Sequence, residues 1–490
     1  MVSGDRSDAI ASRGAGSGRY LRRASLTIVA LVLACAVAAF QFDLGKRWFG
    51  WEAPSPLTDP AAVAPPEGLT LPTATPAPVV ADETADRDAA AGKVRRALAA
   101  LFSEKKLGRH VAVAVSQLVD GAVVYRDGAG AVTPASTLKL LTAAAALESL
   151  GPGHRFRTTV VTGAGSRRIV LVGGGDPFLE RAPVVDDDSY PARADLRTLA
   201  ESTARMLEQR GRTSVRVGYD ASLFRGPATS PEWEPSYVPD DVVTPISPLW
   251  TNEGRDRSGS VNGTQAVAAD AAQAFADALA KKDIAVLGEP RPAAAAAGSE
   301  ELGAVESAPL EQIVTSILEV SDNEGAEVLL RHVAIAEGQP ASFAGGSEAV
   351  RSVLGGLGVD LSRARIYDGS GLSRNNRLTP EMILSVIEVA GGDEYPSLRA
   401  VATGLSVAGF NGSLAYRFQT GDEHGPGRVR AKTGTLTGVH GLAGVVTDLD
   451  GTELGFVAIA DRVAVRNTLA ARTLIDEIAA ALAGCSCGTT

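Results

Sequence analysis

The stretch TPASTLKLLTAAAALESLG, residues 133–151, constrains this chain more than any other. Thr133-Pro134 reads as a helix start, with a hydroxyl to cap and a proline for the first turn, and a long apolar run follows. That helix start carries Ser136 and Lys139. Residues i and i+3 share a helical face, so the lysine amine can reach the serine hydroxyl. A serine is a weak nucleophile until a base takes its proton, and a partly desolvated lysine can do so. The Ser136 backbone N–H, near a helix N-terminus, can also help hold an oxyanion. The spacing alone is cheap: Ser103-Glu104-Lys105-Lys106 matches it in a polar setting with no apolar helix behind it.

Two further elements give the serine and lysine a context. Ser321-Asp322-Asn323 falls in a short break between two amphipathic helical patterns, LEQIVTSILEV and EGAEVLLRHVAIAEG, where a loop can aim both Ser321 and Asn323 at a cleft. The same Ser-x-Asn spacing recurs at Ser260-Val261-Asn262 and Ser373-Arg374-Asn375, and a plain cap for the second helix is the alternative. Lys432-Thr433-Gly434 occurs once, in a β-like run. A lysine and threonine there can hold a carboxylate, and Gly434 leaves room for a peptide to add along the strand edge.

The rest of the 490 residues sets the frame. Arg13, Arg19, Arg22 and Arg23 precede an uncharged apolar run, Ala24–Phe40. This predicts a cytoplasmic tail (1–23), a membrane anchor or signal segment (24–42), and everything beyond it outside the membrane. Small residues Ala34, Ala36 and Ala38 leave cleavage and secretion open. Residues 43–92 read as a Pro/Ala-rich linker. Within them, eight prolines between 53 and 82 suggest a semi-rigid spacer, on the order of 90 Å when extended.

The folded body opens with an alanine-rich helical pattern and a hairpin, VAVAVSQLVDGAVVY, turning at Asp120-Gly121. It ends with strands at VRAKTG and GLAGVVTDLDGTELGFVAIA, then a helix from about 464 to 483. One sheet assembled from both chain ends is expected. Residues 159–305 alternate short β-runs with Gly and Pro turns, include one helical stretch near 265–282, and read as a β-rich insertion; residues 485–490 read as a tail.

Composition removes several classes. With 45% hydrophobic residues the chain can bury large cores. A net charge of −10 without a long basic run argues against nucleic acid. The three cysteines (Cys35, Cys485, Cys487) cannot staple the body. The five histidines show no HExxH spacing. No metal or other cofactor is expected.

Ser-x-x-Lys, then Ser-x-Asn, then Lys-Thr-Gly, in that order, is the pattern of penicillin-binding proteins and serine β-lactamases. TPASTLKLLTAAAALESLG, LVGGGDPFL, SDNEGAEVLLRHVA, YDGSGLSRNNRLTP, AGFNGSLAYRF and AKTGTLTGVHGLAG closely resemble the class C low-molecular-mass penicillin-binding proteins, which are D-alanyl-D-alanine carboxypeptidases and endopeptidases. The resemblance covers roughly residues 93–484. Ser136 and Ser321 lie 185 residues apart, and that family carries an extra region at this point.

The resemblance implies an α+β, penicillin-recognising serine transpeptidase/β-lactamase-like fold: an antiparallel sheet flanked by helices, formed by 93–158 and 306–484, with 159–305 inserted. It implies Ser136 as nucleophile, Lys139 as base and Ser321 as proton carrier to the leaving amine. Asn323 would bind the substrate amide, Lys432 and Thr433 its carboxylate, and the N–H groups of Ser136 and Thr435 would form the oxyanion hole. Gly434 belongs to the same substrate-binding strand. Arg374 is a candidate for an acidic group on the stem peptide, with a surface ion pair as the alternative. Asp176 reads as a turn residue. The implied partners are peptidoglycan stem peptides and β-lactams. Glu324-Gly325 departs from the family, which often has a bulkier residue after the asparagine, and sets an acid and a flexible residue beside the site. A β-lactamase with fast deacylation and a non-catalytic wall-binding scaffold are the rival readings.

Overall fold

The computed structural model describes residues 88–489 apart from 102–103, 129, 166, 185–189, 257–258, 262–265 and 420–422. The tail, apolar segment and almost all of the linker expected before residue 93 lie outside the described residues. Among the described residues, no helix is long and apolar enough to cross a membrane.

Helix α1 (Ala91–Leu98) buries Val94 and Leu98. It is followed by the hairpin β1 (Val111–Gln117) and β2 (Val123–Asp127). The hairpin turns where expected: the Ala122 N–H donates to Asp120 Oδ1 at 2.9 Å. A 3₁₀ turn, Ala135–Leu138, leads into α2 (Lys139–Leu150). Every residue of α2 from Lys139 to Leu147 is buried, and its run of alanines lets neighbouring helices approach closely.

The insertion holds β3 (Arg157–Thr162), β4 (Arg168–Val172), α3 (Leu196–Gln209), β5 (Ser214–Asp220), α4 (Val267–Ala280), β6 (Ala285–Val286), β7 (Arg291–Pro292) and β8 (Glu301–Glu306). Its strands run in the order β6-β5-β4-β3-β8, with β7 also on β5. The β4–β5 pair is parallel. A parallel neighbour needs a long crossover, and α3 supplies it. Leu199, Leu207, Val217, Phe275 and Leu279 form a core separate from that of the catalytic body. The expected β-rich block therefore contains as much helix as strand.

The chain then builds α5 (Leu310–Val320), α6 (Asn323–Ala336), α7 (Phe343–Gly356) and α8 (Pro380–Gly391). It closes with β9 (Ser406–Val407), β10 (Val429–Leu436), β11 (Val439–Thr447), β12 (Glu453–Ala460) and α9 (Thr468–Ala483). The antiparallel sheet β2-β1-β12-β11-β10-β9 joins both chain ends, as the sequence predicted. One face packs on α2, α8 and their neighbours; the other is covered by α1 and α9.

Residues 485–489, in the stretch read as a tail, are tied to the folded body. Cys485 and Cys487 form a disulfide. Cys487 is fully buried, and its N–H donates to Asp448 Oδ2 at 2.8 Å. The Ala90 N–H bonds the Cys487 carbonyl, so the chain end is stitched to the start of the folded body.

Candidate active site

Ser136 sits in the 3₁₀ turn rather than in a capped α-helix. Thr133 does not cap it. The Thr133 N–H donates to Asp461 Oδ2 at 2.9 Å, and its hydroxyl accepts from Arg377 at 2.9 Å. Ala135 has φ +48°, a left-handed conformation rare for a residue with a Cβ. Such strain next to a reactive side chain is held in place by the surrounding fold.

Lys139 is fully buried, and its amine meets three oxygens: Ser136 Oγ at 3.0 Å, Asn323 Oδ1 at 2.8 Å and the Ser370 carbonyl at 2.8 Å. Burial lowers its pKa to about 8, against the opposing pull of Asp322, Glu327, Asp368 and Glu324. A neutral amine has two N–H donors and one lone pair. With Asn323 and Ser370 accepting the two hydrogens, the lone pair is left for the Ser136 hydroxyl.

Ser321 ends α5 with φ +65°, and Asp322 caps α6 by accepting the Gly325 N–H at 3.0 Å. The cap and the site coexist in one motif. Asn323 Nδ2 donates to the Val242 carbonyl at 2.9 Å, which fixes the amide with its oxygen toward Lys139. Among the described residues, the Ser321 hydroxyl bonds neither Lys139 nor Lys432.

The departure at Glu324-Gly325 has a different meaning from the one expected. Glu324 is buried against Arg255 and accepts the Thr244 N–H at 3.1 Å. Burial first, then Asp322, lifts its pKa to about 7. A Cβ on residue 325 would lie 2.8 Å from Asp322 Oδ2 and 2.8 Å from Ile317, so Gly325 answers a packing need rather than supplying flexibility.

Lys432, Thr433 and Gly434 lie on β10. Lys432 is fully buried, and its amine donates to the Thr433 carbonyl at 3.1 Å. Burial pushes its pKa well down, and the positive charges of Lys139 and Arg417 add to the effect. Thr433 Oγ1 bonds Ser413 Oγ at 3.1 Å. A Cβ at Gly434 would stand 2.7 Å from the Pro134 carbonyl, so this glycine lets the strand approach the Ser136 turn. Strand β9 pairs with Arg430 and Ala431 only, and among the described residues the β10 edge beyond them has no strand neighbour. Thr435 is exposed at that open edge.

Arg374 pairs with Glu234 at 3.2 Å and donates to the Thr437 carbonyl at 3.0 Å, so the ion-pair alternative describes its present state. Asp176 accepts the Phe178 N–H at 2.9 Å, as a turn residue does.

Sequence reasoning missed two carboxylates beneath the site. Glu327, fully buried on α6, accepts the Gly369 N–H at 3.0 Å and the Ser370 N–H at 2.8 Å. Asp368 accepts N–H groups of Gly371 and Ser373 and side-chain donors of Asn376 and Trp233. Together they fold the loop whose Ser370 carbonyl holds Lys139. Both residues stand inside segments that carried the resemblance, but only the long-range pairing reveals their work.

The model of the D-Ala-D-Ala carboxypeptidase 3 (S13) family matches residues 94–261 and 256–483. A carboxypeptidase of Mycobacterium tuberculosis is 36% identical over 413 residues, covering 83% of this chain and 87% of that protein. The carboxypeptidase DacB of Mycolicibacterium smegmatis is 34% identical, covering 94% of this chain and 96% of its own length. The crystal structure of penicillin binding protein 4 from Haemophilus influenzae has the same fold, with a TM-score of 0.65 at 21% identity over 79% of this chain and 99% of that one. With Lys139 bonded to Ser136 and Asn323, and Lys432 close enough to feel its charge, on that fold, the chain belongs to the D-Ala-D-Ala carboxypeptidase 3 (S13) family.

Proposed function

We infer that this protein is a serine-type D-alanyl-D-alanine carboxypeptidase that acts on peptidoglycan stem peptides through a Ser136 acyl-enzyme and is acylated by penicillins. The observation that carries the reading is the Lys139 amine, buried, 3.0 Å from Ser136 Oγ and depressed toward neutrality.

Lys139 takes the Ser136 proton as Oγ attacks the carbonyl of the penultimate D-alanine. The N–H groups of Ser136 and Thr435 hold the oxyanion, and Asn323 binds the substrate amide with the second hydrogen of its Nδ2. Ser321 passes a proton to the departing amine, the C–N bond breaks, and terminal D-alanine leaves. Water then attacks the ester and restores Ser136. Lys432 supports the carboxylate specificity: its charged neighbours Lys139 and Arg417 are cations, and a substrate carboxylate supplies the missing anion. The open β10 edge suits an extended peptide. In a penicillin the amide broken is in a ring, so the leaving group stays tethered and obstructs water.

The apolar segment 24–42 behind four arginines supports a catalytic body held outside the membrane, tethered there or released by cleavage. Fractionation of cells expressing the full chain tests this: recovery only from the cytosol would refute it.

The enzymatic test is labelling of the full chain with a fluorescent penicillin beside Ser136→Ala, followed by incubation with D-Ala-D-Ala peptides. A long-lived adduct absent from the variant, with release of D-alanine, is expected. A label lost within seconds would make the protein a β-lactamase. No serine-dependent label on folded protein would leave a scaffold.

A further inference from the structure

One route from the insertion to the site runs through Val242–Thr244. The Val242 carbonyl takes Asn323 Nδ2, and two residues on, the Thr244 N–H donates to Glu324 Oε1. Thr244 Oγ1 donates to the Glu253 carbonyl at 2.7 Å, which closes the segment on itself. Arg255 then returns to the same Glu324 Oε1 and also donates to the carbonyls of Asp241 at 3.4 Å and Gly259 at 3.1 Å. Glu324, the residue after Asn323, is therefore where a backbone N–H and a guanidinium of the insertion converge.

We propose that Arg255 and Glu324 form a lock by which the inserted region positions Asn323 against Lys139 and the substrate amide. This rests on the carboxypeptidase reading above. A carboxamide has no intrinsic preference between its two orientations, and a wrong one would turn N–H toward the lysine amine. The Val242 carbonyl selects the right orientation only while its own segment is held. The hold is charge-dependent, because Glu253, Asp322 and Glu324 lie within 4.8 Å of one another. Burial, with Asp322 and Glu324 beside it, holds the Glu253 carboxyl well above its usual range, so it stays protonated beside Asp322; without the guanidinium, Glu324 loses its counter-charge, and repulsion from Asp322 draws its ionised form away from Thr244. Arg255 and Glu324 are positioning residues: each acts through Val242–Thr244 on Asn323.

The test uses the full chain. Arg255→Ala should slow acylation by fluorescent penicillin roughly tenfold or more, the scale of a small misplacement of a binding group. Arg255→Lys, which keeps a cation, should recover part of that loss. Adding Glu324→Gln to Arg255→Ala should also recover part, since it removes the repulsion and keeps an acceptor for Thr244. Hydrogen exchange at the Thr244 and Gly325 amides should quicken in Arg255→Ala and slow again in the double variant. Acylation within twofold of wild type in Arg255→Ala, or a double variant slower than either single one, would overturn the lock. Absence of any Ser136 label on the wild type, with the exchange pattern still as expected, would instead strike the carboxypeptidase reading and leave the lock standing.

Discussion

Glu327→Gln probes the support beneath the base. In the folded protein the carboxylate accepts two backbone N–H groups and lies 4.0 Å from Arg331, which is itself buried. Glutamine keeps one acceptor for Ser370 but turns an NH2 toward either Gly369 or Arg331. One charge-assisted hydrogen bond is lost, worth about 1.5–3 kcal/mol. Arg331 also loses its counter-charge, and breaking a buried pair costs about 3–5 kcal/mol. Burial, then Asp368, raises the Glu327 pKa to about 7, so the two losses, which overlap, should come to about 3–5 kcal/mol in denaturant unfolding at pH 8 or above, where the carboxylate is ionised, and to less below pH 7. At the site two effects separate. The Ser370 carbonyl is less firmly held, so the maximal acylation rate should fall roughly tenfold. One of the carboxylates that raise the Lys139 pKa is gone, so the acidic limb of acylation should move below the wild-type value of about 8, by roughly half a unit to one unit. Acylation rates from pH 6 to 10, with unfolding curves on the same preparations, give all three numbers. Glu327→Asp keeps the charge and should keep the limb near 8 while losing rate. An unchanged limb and plateau in Glu327→Gln, with less than about 1 kcal/mol lost, would refute the idea that this carboxylate organises the base.

Three other outcomes follow from the same geometry. Wild-type acylation should rise with pH through about 8, because Lys139 works as the free amine and roughly a tenth of it is free at pH 7; Lys139→Arg, which cannot deprotonate, should fold and fail to acylate. Gly434→Ala puts a methyl 2.7 Å from the Pro134 carbonyl. It should cost about 1–3 kcal/mol of stability and most of the acylation rate, and near-normal labelling would show that the turn can retreat. Truncation after Gly484 removes buried Cys487 and its bond to Asp448; a loss of about 2–3 kcal/mol is expected, whereas an unchanged unfolding midpoint would show that these contacts add nothing to stability.

Much of the catalytic body was legible because its signals are local. The Asp120-Gly121 hairpin, the break at Ser321 between two apolar-periodic helices, and the Lys432 strand each announce themselves within about ten residues, and each stands where expected. The helix Leu196–Gln209 carries a local signal as well. Asp195 caps it, and Leu196, Leu199, Ala200, Thr203, Ala204 and Leu207 fall on one buried face. The surrounding Gly and Pro turns mask that period, which is why the block reads as β-rich in sequence.

What stayed hidden depends on partners far apart in the chain. Nothing near Glu327 says that its carboxylate will meet the backbone of Gly369 and Ser370, 42 and 43 positions later. Nothing near Val242 says that its carbonyl will orient Asn323, 81 positions on. The Glu324-Gly325 pair shows the limit best. A lone acid and a glycine after a motif asparagine suggest looseness, since glycine has the widest conformational freedom and an exposed glutamate would carry its charge in water. Burial reverses both inferences: the glycine is required because Asp322 and Ile317 leave no room for a methyl, and the acid is tolerated because Arg255 meets it. Residue type gave the chemistry of the site, but the electrostatic setting of Lys139 follows from which carboxylates the fold gathers around it, Asp322 and Glu324 from the motif and Glu327 and Asp368 from beyond it.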